Sequence, residues 1–114
     1  MIIVTAELTF ESQQARDKAV ELSIPIQQAT RDQEPGCHAY CFAADPCRGT
    51  AIQVYELWED SPSLAAHFEH ENYFAMVDML MTVGFVDSIN RAYLTDRNEA
   101  VYGPDGEKKA AFFV

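Results

Sequence analysis

YELWEDSPSLAAHFEHENYF, residues 55–74, carries a strand, a turn and a helix in unbroken succession. Its first residues continue an alternating run that begins near Thr50, and Trp58, the only tryptophan, falls near the end of that run. Asp60 and Ser61 supply side-chain oxygens that can accept from the first free N–H groups of a helix. Pro62 suits a first helical position, where no N–H is missed. The helix that follows sets His67 beside Leu64 and Phe68. An indole and a titratable imidazole thus share one strand-to-helix junction, a combination that serves a reactive pocket or an ordinary core.

Working outward, residues 2–10 alternate, with Ile2, Val4, Ala6, Leu8 and Phe10 on one side, and read as a strand. From Ser12 to about Asp32, Ala15, Ala19, Leu22, Ile26 and Ala29 recur at three- and four-residue steps, which predicts a helix. Pro25 inside it predicts a kink or break near Ser23. Glu34-Pro35-Gly36 is a turn signal. Residues 37–44 form a second strand with His38, Tyr40 and Phe42 on one face, and Asp45-Pro46 and Gly49 bound the link to the next. Along residues 50–59, Ile52, Val54, Glu56 and Trp58 share one face, while Ala51, Gln53, Tyr55 and Leu57 share the other.

A helix from Pro62 to His70 then resumes after an irregularity at Glu71-Asn72 and runs through Met81, with Tyr73, Phe74, Val77, Leu80 and Met81 as its apolar stripe. Gly84 fits a helix stop, and residues 86–96 a fourth strand. The order strand–helix–strand–strand–helix–strand predicts an α+β, ferredoxin-like βαββαβ sandwich: one antiparallel sheet with both helices on one face. The strands carry apolar residues on both faces, so the open face predicts a symmetric homodimer in which two sheets pack together. Residues 1–98 make a single domain. Residues 99–114 form an extension whose apolar end, AAFFV, is expected to dock on the domain or on the partner subunit.

Composition narrows the function classes. The chain has 114 residues, 48% hydrophobic and 23% charged, which suits one folded domain with one core. A net charge of −10 without a basic cluster argues against nucleic acid as a partner. No apolar run approaches the roughly 20 residues of a bilayer span, and the first ten residues read as a strand rather than a leader, so the cytoplasm is the expected location. Cys37, Cys41 and Cys47 are odd in number. Cys37 and Cys41 lie about 13 Å apart along a strand, too far to share a zinc ion at about 2.3 Å per bond. They read as structural thiols, with neither a disulfide nor a metal expected.

The order of elements, together with the stretch at 55–74, resembles the antibiotic biosynthesis monooxygenase family of dimeric α+β barrels over roughly residues 2–96. Trp58, the acidic Glu59-Asp60, Leu64, His67 and the pair Tyr73-Phe74 carry the likeness, as does the turn Glu34-Pro35-Gly36-Cys37. The resemblance implies a pocket between the helices and the sheet of each subunit. It also implies oxidation of a small aromatic, quinol- or anthrone-like molecule by O2, without a metal, flavin or other cofactor. Haem-degrading relatives carry an Asn on the first strand, and residues 1–10 contain none, which argues against haem. A non-catalytic dimeric small-molecule-binding or stress module stays open as an alternative, as does an isomerase acting on an enolisable small molecule.

Catalysis is expected of His67 and Trp58. An imidazole, with an ordinary pKa of about 6.5, accepts a proton near neutral pH without special tuning. The bland role for His67 is a structural bond to a backbone carbonyl. Trp58 either stacks on a planar substrate and orients it by its N–H, or simply fills the core. Substrate contact is expected of Glu56, Asn72, Tyr73, Phe74 and Arg91. Glu56 either pairs with Arg91 or lines the cavity with a raised pKa. His70 points toward solvent by helical phase, and His38 faces with Tyr40 and Phe42 toward the dimer interface.

Overall fold

A computed structural model describes all 114 residues. The chain runs β1 (Ile2–Phe10), α1 (Gln13–Gln33), β2 (Cys37–Ala44), β3 (Ala51–Trp58), α2 (Ser61–Phe68), α3 (Glu71–Thr82) and β4 (Phe85–Leu94). The four strands form one antiparallel sheet in the order β2-β3-β1-β4. This is the ferredoxin-like βαββαβ arrangement, with the second helix divided in two. Every second residue of β1 and β3 faces the helices. Ala6, Leu8, Phe10, Ile52, Val54 and Trp58 are buried there and join Tyr40, Phe42, Ala19 and Met76 in one core.

Helix α1 keeps Ala15, Ala19 and Ile26 of its expected face against the core but loses Leu22 to solvent and adds polar residues. It buries Arg16, Ala19, Ser23, Gln27 and Thr30, whereas Leu22 and Ile24 are exposed. The reason lies in its neighbour. Strand β2 is a sheet edge, with outward backbone groups that need partners. Gln27 supplies them from the helix: its Nε2 donates to the Phe42 carbonyl at 3.0 Å, and its Oε1 accepts from the Phe42 N–H at 3.0 Å. Arg31 Nε donates to the Tyr40 carbonyl at 2.7 Å. Arg16 Nη1 reaches the Asp45, Arg48 and Ala51 carbonyls of the β2–β3 link. The expected break near Ser23 does not occur. Pro25 lies on the exposed side of an unbroken helix, so the carbonyl it cannot bond, that of Glu21, is also on the solvent side.

Two local details place the site. The interruption between α2 and α3 falls at Glu69-His70 rather than Glu71-Asn72, because His70 caps α3 and its Nδ1 accepts from the Asn72 N–H at 3.0 Å. Gly36 allows α2 to approach the Glu34-Pro35-Gly36 turn. A Cβ there would stand 2.2 Å from Ser63 Oγ and 2.3 Å from Ser63 Cβ. The contact brings the start of α2 against the end of α1.

The face opposite the helices exposes Tyr55, Ile89 and Tyr93. Beyond Leu94 the chain forms neither helix nor strand. It turns back on itself through a Tyr102–Lys108 bridge, a Lys109–Glu99 ion pair and Arg97 over the Phe113 ring. The radius of gyration is 16.0 Å, against about 13 Å for a compact chain of this length. No helix is long and apolar enough to cross a membrane, and all three cysteines are free.

Candidate functional site

His67 sits at the centre of the buried constellation. Helix α2 begins with Asp60 as its N-cap, accepting from the Ser63 N–H at 2.9 Å. This fixes the phase that turns His67 inward while its neighbour Ala66 stays exposed. The imidazole is 3% exposed and lies between aromatic rings. Its centroid is 4.7 Å from Trp58, 5.5 Å from Tyr40 and 5.6 Å from Tyr73. Its Nδ1 lies 2.7 Å from Glu34 Oε1. With the proton on Nδ1 donated to that carboxylate, Nε2 presents its lone pair away from the pair.

Glu34 is a member of the buried constellation that sequence reading did not place there. It follows the last turn of α1, and the sequence marks it as part of a turn and of the Glu34-Pro35-Gly36-Cys37 likeness without giving it a role in the site. At 6% exposure its carboxylate is held from two sides, by His67 and by Asn72, whose Nδ2 donates to Oε2 at 3.2 Å. A hollow of about 340 Å³ is lined by Glu34, Trp58 and His70. His70 Nδ1 stands 3.9 Å from Glu34 Oε2, so this histidine neighbours the site from the partly exposed side. The advance signals for Glu34 are the Glu34-Pro35-Gly36-Cys37 likeness and a carboxylate next to Pro-Gly at a helix end, where a turn alone needs no acid.

Glu56 lies on the other side of Trp58. The indole Nε1 donates to Glu56 Oε1 at 2.9 Å, and both groups are buried. The expected pair with Arg91 is absent. Arg91 aligns with Thr5, which aligns with Tyr55, and all three occupy the face opposite the helices, whereas Glu56 aligns with Val4 on the helix face. A one-residue offset separates the two groups by the thickness of the sheet. Left without a cation, the Glu56 carboxyl is pushed up to about 7 by burial, partly offset by the Trp58 hydrogen bond and reinforced by the nearby Glu34. The Trp58 N–H is thereby committed to Glu56 and not free for a ligand.

Glu56 and His67 both line an inner cleft of about 130 Å³ between the helix face of the sheet and the pair α2–α3. Its walls are otherwise apolar or aromatic and include Val4, Leu64, Tyr73 and Met76. Among the other expected contacts, Tyr73 lines this cleft. Phe74 does not, being half exposed on the outer side of α3. Asn72 supports Glu34 rather than facing the cleft. His38 leaves the face of Tyr40 and Phe42 because the register shifts between Cys37 and Ala39, so the extra residue turns outward and pairs with Glu59. The arrangement offers one imidazole nitrogen and one carboxyl oxygen, both without protein partners, inside an apolar hollow. That suits proton transfer to and from an uncharged molecule.

A sequence model of the antibiotic biosynthesis monooxygenase family matches residues 1–79. Solved structures share the fold. A Deinococcus radiodurans protein described with the same family name is 24% identical, covers 90% of this chain and 100% of its own, and superposes with a TM-score of 0.78. A Bacteroides thetaiotaomicron protein of unknown function is 20% identical, with 81% and 94% covered and a TM-score of 0.70. Rv0793 of Mycobacterium tuberculosis is 17% identical, with 88% and 99% covered and a TM-score of 0.69. No curated protein matches the chain.

Proposed function

The chain belongs to the antibiotic biosynthesis monooxygenase family, and on that premise we propose that it oxidises a small phenolic or quinol-like aromatic molecule with O2, with His67 as the base. The observation that carries this reading is the buried His67–Glu34 pair, whose free Nε2 opens on an apolar cleft. Nε2 takes the proton of the substrate hydroxyl. Glu34 keeps the imidazole in the required tautomer and stabilises the imidazolium that forms, a charge-assisted bond worth about 1.5–3 kcal/mol.

The resulting phenolate is electron-rich enough to pass one electron to O2. Superoxide and the ring radical then join through a new C–O bond. The imidazolium returns its proton to the peroxide, and cleavage of the O–O bond with loss of the ring C–H proton releases water and leaves a carbonyl. For a quinol the sum is quinol plus O2 giving hydroxyquinone plus water, so O2 supplies all four oxidising equivalents. Trp58 forms the wall behind the imidazole and holds Glu56.

Assembly as a homodimer through the open sheet face belongs to the same proposal, supported by the exposed Tyr55, Ile89 and Tyr93 there. The extension beyond Leu94 would then lie against the partner, which gives its exposed Phe112, Phe113 and Val114 a surface to cover them. Oxygen uptake with a series of hydroquinones tests the activity. Wild type should consume one O2 per quinol, and His67→Gln should lose about 10²–10⁴-fold in rate. Equal rates would remove His67 from the chemistry.

A further inference from the structure

One buried carboxylate stands between two imidazoles. Glu34 Oε1 lies 2.7 Å from His67 Nδ1, and Oε2 lies 3.9 Å from Nδ1 of His70. His70 occupies the break between α2 and α3, and its side chain is 31% exposed, so solvent protons reach it. It caps α3 by accepting the Asn72 N–H at 3.0 Å on that same Nδ1. We propose that His70 is a proton-operated positioning residue: on taking up a proton at Nδ1 it releases the cap of α3, turns to Glu34 Oε2 and weakens the hold of His67 on its own proton. The coupling rests on this geometry alone; only its consequence for the rate of aromatic oxidation rests on the reading above.

A single nitrogen cannot serve both partners. While Nδ1 accepts from Asn72 it holds no proton, so the ring is neutral with its proton on Nε2. At 3.9 Å two lone pairs then face each other across a gap too long for a hydrogen bond. A proton on Nδ1 reverses both relations. The Asn72 N–H loses its acceptor, and the imidazolium N–H finds in Oε2 a charged acceptor about 1 Å beyond bonding distance. The acids around His70 favour that state. Glu34 faces it from the end of α1, Asp60 lines the same hollow, and Glu69 and Glu71 flank it in the chain, while no Lys or Arg lines that hollow. The positive end of α3 opposes it.

Two consequences reach the cleft. Glu34 then serves two imidazoliums, so the second proton to enter the pair binds more weakly than the first. The first turn of α3, freed of its cap, carries Asn72, whose Nδ2 donates to Glu34 Oε2 at 3.2 Å. It also carries Tyr73, whose ring centroid is 5.6 Å from that of His67 and which lines the inner cleft. A proton taken up at the partly exposed face is thereby felt at the buried base.

Ring signals of His67 and His70, followed by NMR across a pH titration, test the coupling. The two wild-type midpoints should sum to about one pH unit less than the His67 midpoint in His70→Asn plus the His70 midpoint in His67→Gln, a tenfold coupling between like charges. Asn keeps an oxygen to cap α3 and has no proton to gain. Hydrogen exchange at the Asn72 amide, corrected for its intrinsic pH dependence, should quicken about tenfold in wild type as His70 takes its proton. It should stay slow in His70→Asn and be fast at every pH in His70→Ala, which lacks a cap. Equal midpoint sums, or wild-type Asn72 exchange that ignores the His70 titration, would overturn the proposal. The exchange measurement in wild type needs no variant, so misfolding of a variant does not shield the proposal from refutation. Neither readout requires turnover. Coupled histidines in a chain that consumes no O2 sink the oxidative reading and leave the role of His70 standing; uncoupled histidines with active oxygen uptake do the reverse.

Discussion

Replacing Glu56 by Gln should make the protein more stable at pH 8 and change little at pH 4.5. Glu56 is 8% exposed, has no cation beside it, and its carboxyl is raised from the ordinary 4.5 to about 7 by burial. The folded chain therefore holds this proton more tightly than the unfolded chain does. Below about pH 4.5 both states are protonated and Glu56 costs nothing. Between 4.5 and about 7 only the unfolded state releases the proton, so stability falls as pH rises, and above 7 the loss is complete.

The interval is roughly 2.5 pH units at about 1.4 kcal/mol each, or about 3 kcal/mol. For a chain of this size that is about 12 °C in Tm. Gln keeps a carbonyl oxygen for the Trp58 N–H and has no proton to lose. Thermal unfolding of both proteins at one fixed concentration from pH 4.5 to 8 reads the effect, since the difference between them cancels every other titration. It should open by about 3 kcal/mol in favour of the variant. Parallel pH profiles, or a gap that opens toward acid, would refute the placement of Glu56 as an uncompensated buried acid.

Three further outcomes follow from single contacts. Glu34→Gln should lower the oxidation rate by about 10–100-fold with little change in quinol affinity, the loss expected for one charge-assisted bond; a change in affinity alone would show that Glu34 acts on binding instead. Gly36→Ala should displace α2 and weaken both stability and activity, because its Cβ would meet Ser63 Cβ at 2.3 Å, and adding Ser63→Gly should recover much of the loss. Failure of that rescue in thermal melts would place the problem elsewhere. Gln27→Leu strips two partners from the backbone of Phe42 and should cost about 2–4 kcal/mol in urea unfolding; a loss under 1 kcal/mol would mean that water replaces them.

Much of the fold is written in the periodicity of the strands. Ile2 through Phe10 and Ile52 through Trp58 alternate, and their helix-facing sets form or border the core, with Ile2 and Val4 partly buried. Helix α1 was legible as a helix and in the apolar part of its inner face, Ala15, Ala19 and Ile26, but not in the polar part. Its apolar letters suggested a face through Leu22, while the edge strand it covers and the link that follows demanded hydrogen-bonding side chains, so Gln27 and Arg16 turned inward. Polar residues that satisfy a backbone look like surface residues until their partner is known.

The candidate site was legible where side-chain type is distinctive, at Trp58 and His67. It was not legible at Glu34, whose role depends on a long-range approach of α2 to the end of α1. Arg91 was misplaced for a different reason. Register across three strands, which sequence periodicity does not give, decides which face it shares. His38 moved out of its strand face because one bulged residue shifts the alternation, and a bulge leaves no mark in a short strand.

The central claim is that His67 drives insertion of oxygen from O2 into a phenolic ring, and isotope labelling tests it most directly. Hydroquinone turned over under ¹⁸O2 should give a hydroxyquinone carrying one labelled atom, with the second label in water, and His67→Gln should slow formation of that product by at least about 100-fold. An unlabelled quinone accompanied by hydrogen peroxide, or label appearing as fast in the variant as in wild type, would contradict the account.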